Sequence, residues 1–305
     1  MLTETAAGVF TIAVTPFLPD GAIDFASLDR VTDFYVEKGA TGLTILGIMG
    51  EAGKLSAEES IAVVRRVVAR TTLPVVVGVS SPGFAGMVAL AREAMAAGAA
   101  GVMVAPASSL RNDDQIAGYF RTAAEMLGDI PWVLQDFPLV TGVTIPPKVI
   151  LEVARDCPTC VMLKHEDWPG LDKISAIRAA EGKGARRISI LCGNGGQFLP
   201  EEMARGADGA MTGFAFPEMM AGVVAAHRAG DRDRAQDIFD AYLPLVRYEA
   251  QPGLGLSVRK YILAKRGAIA HAALRKPGAG LNAAGAAEVD FLIARQERRL
   301  AALGM

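Results

Sequence analysis

Cysteine is scarce in this 305-residue chain, with only Cys157, Cys160 and Cys192 present. Three are too few for a disulfide framework. Cys157-Pro158-Thr159-Cys160 has the C-x-x-C spacing, but a thioredoxin-like pair sits where a strand runs into a helix. Here the pair precedes an apolar run that Cys160 opens, so it reads as buried or loop thiols. Histidine is as sparse, and His165, His227 and His271 have no zinc-ligand spacing. Neither charge sign dominates: 31 Lys and Arg stand against 33 Asp and Glu, for a net −2. That balance gives no pull toward nucleic acid or an anionic membrane. The one basic run, Lys183 to Arg187, reads as a solvated loop. No apolar run is long enough to span a bilayer, and no basic segment followed by an apolar stretch opens the chain as in a signal peptide. The expected compartment is the cytoplasm. Nucleotide motifs are missing too. Gly53-Lys54 lacks the earlier glycine of a P-loop and is followed by Leu55, and Gly193-Asn194-Gly195-Gly196 fails the G-x-G-x-x-G spacing.

Half of the residues are apolar, enough for a sizeable core. Short β-branched runs alternate with longer alanine-rich patterns of helical period. The strand candidates are Val9–Val14, Gly42–Leu46, Pro74–Val79, Gly101–Ala105, Trp132–Asp136, Cys160–Lys164, Ile188–Cys192 and Gly209–Thr212. They are continuously apolar rather than alternating, as in parallel strands covered on both faces. Helical patterns lie between them, near residues 26–38, 57–70, 85–97, 113–127, 147–155, 170–181 and 199–205. Eight such units predict a closed (β/α)8 barrel, with an open doubly wound sheet as the alternative. Past the eighth strand the pattern is purely helical, over 216–228, 232–247, 253–266 and 284–303, with a glycine-rich loop or hinge at 277–285. A barrel uses about 250 residues, so the reading is a catalytic barrel over 1–228 and a helical extension over 229–305.

In such a barrel the chemistry sits where the strands end at their C-terminal edge. Lys164 ends the sixth strand after Cys160-Val161-Met162-Leu163, which carries its amine into a partly dry setting. A dry setting disfavours a charged amine, and a neutral amine attacks a ketone to give an iminium, an electron sink for the neighbouring carbon. The plainer reading is a structural lysine paired with Glu166 or Glu51. The glycines around 47–53 suggest a tight turn whose free N–H groups suit a carboxylate, or simply an ordinary βα turn.

Several spaced motifs, in order, carry a resemblance over nearly the whole length. They are Val14-Thr15-Pro16-Phe17 with Asp20-Gly21, Gly47 to Glu51, Leu55-Ser56, Glu58-Glu59, Gly98, Val102-Met103-Val104, Pro138, Thr141-Gly142, Lys164, and Gly209 to Thr212. On these the chain resembles the dihydrodipicolinate synthase / N-acetylneuraminate lyase family of lysine-dependent aldolases and lyases. The resemblance implies a barrel with C-terminal helices, Lys164 as the Schiff-base lysine, a small-molecule 2-keto acid as substrate, and a homotetramer. It implies no metal or organic cofactor, since the lysine supplies the electron sink. The candidate substrate contacts are Gly47, Ile48, Met49, Gly50, Glu51 and Gly193, with Thr15 and Thr212 either bonding a substrate hydroxyl or merely packing.

The chain departs from the family where Ile48 and Met49 replace hydroxyl residues and Gln135 replaces the strand-five tyrosine. Val140 stands where synthases have an arginine, and Ala107 and Ser108 replace a tyrosine pair. The proton relay of the synthases is therefore missing. Gln135-Asp136-x-Pro138, Glu166, and the stretch from Leu243 through Glu249, Gln251, Gly253 and Lys260 are similar to 2-keto-3-deoxy sugar acid dehydratases, such as the L-2-keto-3-deoxyarabonate dehydratase type. The expected activity is dehydration of such an acid, with Lys164, Gln135 and Glu166 as the reacting set and Glu166 as acid and base. Retro-aldol cleavage uses the same sink and stays open. So do a conventional synthase and a keto-acid-binding barrel without turnover. Glu166 has its own plainer reading, a surface residue capping the next helix.

Overall fold

The computed structural model describes residues 1–305. Eight strands form: β1 Gly8–Ile12, β2 Gly42–Ile45, β3 Val75–Gly78, β4 Gly101–Val104, β5 Trp132–Asp136, β6 Cys160–His165, β7 Ser189–Cys192 and β8 Gly209–Ala210. Each pairs in parallel with the next, and β8 pairs with β1 to close the barrel. The closed barrel is thus the correct one of the two architectures the pattern allowed. Closure brings two backbones into close approach at Gly209, where a Cβ would lie 1.9 Å from the Gly8 carbonyl oxygen. Only glycine fits there.

The helices are α1 Phe25–Glu37, α2 Ala57–Arg70, α3 Phe84–Ala96, α4 Asp113–Leu127, α5 Pro138–Thr141, α6 Pro147–Asp156, α7 Leu171–Glu181, α8 Leu199–Ala204 and α9 Pro217–Arg228. α10 Arg232–Glu249, α11 Gly255–Lys265 and α12 Ala283–Ala302 follow. α2 shows why they form where the pattern predicts. Ser56 and Glu59 make a reciprocal capping box, and Ser60, Val63, Val64 and Val67 supply the buried face at helical spacing. The four-residue α5 was not anticipated. It is too short for a periodic signal, opens on Pro138, and stops at Gly142, whose φ is +71°. No helix is long and apolar enough to cross a membrane.

Strand side chains alternate between two buried environments. Phe10, Ile12, Val76, Met103, Val133, Met162, Leu191 and Met211 fill the barrel interior, with Leu2 packed beneath them. Val77, Val102, Leu134, Leu163 and Ile190 join the larger core under the helices. Both faces are dry, which explains the continuous apolar runs. The interior is packed through its middle, so a ligand is confined to the C-terminal mouth.

Candidate functional site

β5 and β6 pair with Gln135 opposite Lys164 and Asp136 opposite His165. Neighbours in a parallel register share a face, so Gln135 and Lys164 point into the barrel while Asp136 and His165 point to the helices. The Glu166 N–H donates to the Asp136 carbonyl at 2.8 Å. That bond carries the ladder one residue beyond the strand and turns Glu166 inward again, beside Lys164.

Three of the expected residues therefore meet. Lys164 Nζ lies 3.0 Å from Glu166 Oε2, and Gln135 Nε2 donates to the same oxygen at 2.8 Å. All three are 4–5% exposed. The plainer reading of Glu166 as a surface cap is overturned: it is buried, and the residue before α7 is Gly170. Lys164 pairs with Glu166, while Glu51 has other partners.

β7 supplies the floor under Glu166. A Cβ on Gly193 would lie 2.1 Å from Glu166 Cγ, so the carboxylate arm rests directly on the Gly193 backbone. The Gly193 N–H bonds the His165 carbonyl at 2.8 Å. Asn194 Nδ2 donates to the Glu166 carbonyl at 2.9 Å. Asn194 and Gly195 are both left-handed, at φ +50° and +68°, and the Thr212 hydroxyl accepts from the Gly195 N–H at 2.8 Å. Thr212 thus holds this turn.

The turn after β2 is bracketed by two left-handed non-glycine residues, Leu46 at φ +54° and Glu51 at φ +56°. Such conformations cost about 1–3 kcal/mol each and cluster at ligand sites. The Gly50 and Glu51 N–H groups close on the Gly47 and Ile48 carbonyls. The Thr15 hydroxyl donates to the Gly50 carbonyl at 2.6 Å, so it braces the turn. Ile48 is 49% exposed at the mouth, and Met49 packs on the interior cluster.

Glu51 is not brought to the lysine. Its Oε1 accepts from Lys260 Nζ at 2.6 Å, and its Oε2 accepts from Lys54 Nζ at 2.7 Å and the Arg275 N–H at 3.1 Å. Its carboxylate anchors the C-terminal segment to this turn. Lys260, on α11, is fully buried and also donates to the Thr15 carbonyl at 2.8 Å. Burial lowers its pKa even with Glu51 beside it.

Sequence reasoning missed two further clusters. Lys173 on α7 reaches Asp136 and Asp167, each at 2.7 Å. The available signal was a lysine beside Ile174 and Ile177 on the buried face of α7. Glu202 on α8 is buried beside the Cys192 thiol, and its Oε2 finds no partner. Burial pushes its carboxyl up to about 8 and raises the Cys192 thiol. The thiols of the C-x-x-C pair are both buried, and burial lifts Cys160 to about 12, far from the thiolate a redox pair needs. No three His, Cys, Asp or Glu side chains are grouped to hold a metal ion.

Residues 5–296 match the model of the dihydrodipicolinate synthetase family. A 4-hydroxy-tetrahydrodipicolinate synthase of Synechococcus sp. (strain CC9605) is 31% identical over 253 residues, covering 81% of this chain and 82% of that protein. One from Methanothrix thermoacetophila is 33% identical over 243 residues, covering 79% and 80%. The crystal structure of a dihydrodipicolinate synthase from Rhodopseudomonas palustris superposes with a TM-score of 0.95 at 58% identity, covering 96% of this chain and 99% of that one.

Proposed function

The chain belongs to the dihydrodipicolinate synthetase family, and from that premise we propose that Lys164 of this lyase forms a Schiff base with a 2-keto-3-deoxy sugar acid, which the enzyme then dehydrates. The observation that carries the reading is the buried group of Lys164, Glu166 and Gln135, with ammonium and amide both on one carboxylate oxygen.

The steps follow from that group. The Lys164 nitrogen bonds the C2 ketone carbon as two of the ammonium protons pass to the ketone oxygen, which leaves as water and gives the iminium. The Ile48 and Met49 amides receive the substrate carboxylate. Glu166 removes a C3 proton, and the electron pair moves into the enamine. The enamine then expels the C4 hydroxyl, which leaves as water with the proton held by Glu166. Hydrolysis of the conjugated iminium frees Lys164. Gln135 cannot carry a proton, so it orients Glu166 or a substrate hydroxyl. Four copies are the assembly this reading favours, which the mass in solution checks.

The names of the relatives favour a second reading, condensation of pyruvate with aspartate semialdehyde. Gln135, Ala107, Ser108 and Val140 weigh against it, since they replace the relay and the arginine that serve that reaction in synthases. The test is mass spectrometry after borohydride reduction with pyruvate and with 2-keto-3-deoxy pentonates and hexonates. A substrate-sized adduct on Lys164, absent in Lys164→Ala, is expected, with product one water lighter than the acid. Pyruvate plus an aldehyde as product would replace dehydration with cleavage. Turnover of pyruvate with aspartate semialdehyde would restore the synthase reading, and the absence of any adduct would leave a binding barrel.

A further inference from the structure

We propose that Lys173 is a positioning residue for Glu166, acting through Asp136 and Asp167; this rests on the role given to Glu166 above. Lys173 lies on the inner side of α7, outside the barrel wall and away from any reacting atom. Its Nζ stands 2.7 Å from Asp136 Oδ2 and 2.7 Å from Asp167 Oδ2. The three side chains are 7%, 0% and 14% exposed. At that depth charges attract strongly and are little screened.

What matters is where the two acids sit. Asp136 directly follows Gln135, and Asp167 directly follows Glu166. One ammonium therefore ties the backbone just beyond the two side chains that meet at Glu166 Oε2. Asp136 needs little help, because it lies within β5. Asp167 lies beyond the end of β6, on a loop. A second brace holds the same loop: His165 Nε2 meets the Gly170 carbonyl at 3.1 Å, with Nδ1 3.5 Å from Asp136 Oδ2. A Cβ on Gly170 would come within 2.3 Å of His165 Nε2. The outward faces of β5 and β6 thus carry an ionic layer that backs the inward reacting layer. A misplacement of about 1 Å in a reacting group can cost roughly a hundredfold in rate, so a loop carrying a proton-transfer group benefits from such an anchor.

The test is a set of variants: Asp167→Asn, Lys173→Met, Lys173→Arg, Glu166→Gln, and Asp167→Asn combined with Glu166→Gln. Asp167→Asn leaves the Lys173–Asp136 pair in place and cuts only the tie to the loop. Its expected effect is a kcat lowered about tenfold or more, with KM and the rate of borohydride-trapped adduct within about threefold of wild type. Lys173→Met shows the same split where it folds, and Lys173→Arg recovers most of the rate. In the Glu166→Gln background Asp167→Asn has no further effect, because the two act through one group. A folded Asp167→Asn with kcat within about twofold of wild type would overturn the proposal, as would an equal loss with and without Glu166. Should Lys173→Met not fold, Asp167→Asn decides alone. If Glu166→Gln itself turns over like wild type, the reading of Glu166 fails and this one falls with it, a result distinct from the others.

Discussion

Glu166 shows how much of a side chain's geometry is set by a neighbour with no side chain. Its arm crosses Gly193 so closely that a single methyl group would overlap Cγ. Gly193→Ala is therefore expected to displace the carboxylate from Lys164 and lower kcat by about 10- to 100-fold, while the melting temperature changes little, because the arm can swing toward the mouth. Steady-state kinetics beside a thermal melt checks this. An unchanged kcat would mean that Glu166 is not needed where it lies. Gln135 makes the complementary point. In the proposed mechanism an amide in place of the family's tyrosine keeps a donor at the site but removes the acid, which leaves Glu166 as the carboxylate for proton transfer.

At the level of elements, the β5–β6 pair sorts chemistry by parity. Alternate positions of the same two strands place Gln135 and Lys164 inside the barrel and Asp136 and His165 outside it. α8 carries a different load. Glu202 packs behind β7 beside Cys192, and burial raises its carboxyl from the ordinary 4.5 to about 8. The folded state then holds the proton more tightly than the unfolded chain does. Stability is full below pH of about 4.5, falls as pH rises, and levels off above about 8. The expected loss is on the order of a few kcal/mol. Urea denaturation across pH 5 to 9 should show this slope in the wild type and its absence in Glu202→Gln. The same slope in both would place its origin elsewhere.

Over the whole molecule, the C-terminal helices act on the barrel mouth. Lys260 on α11 donates to Glu51 and to the Thr15 carbonyl, the two ends of the motifs that shape the turn after β2. Arg275 adds a bidentate pair to Glu59 and the N–H bonded to Glu51. Arg259 bonds the Gly213 carbonyl and the buried Glu249. Removing one partner of such a buried pair leaves an uncompensated charge. Lys260→Met is expected to lose about 3–5 kcal/mol, and adding Glu51→Gln should recover part of that loss. Denaturation of the single and double variants measures it. If the single variant melts like wild type, the extension is not a structural clamp.

The sequence by itself placed Lys164 at the end of the sixth strand and narrowed the fold to a closed barrel or an open doubly wound sheet, and the pairing of β8 with β1 decided for the barrel. Eight apolar runs, dry on both faces, have few other ways to be covered, and β5 ran from Trp132 to Asp136 as its pattern predicted. A lysine at the end of such a run is placed at the mouth by the chain's own periodicity. Glu166 stands two positions after Lys164, but the chain leaves its strand at that point, and periodicity says nothing past a strand end. Only the ladder bond to Asp136 and the bare backbone of Gly193 settled that it turns inward. Glu51 was legible as a residue of the mouth but not as the partner of Lys260, 209 residues away. Side-chain periods act over a few residues, whereas the pairing of buried charges depends on which helices the closed barrel brings together.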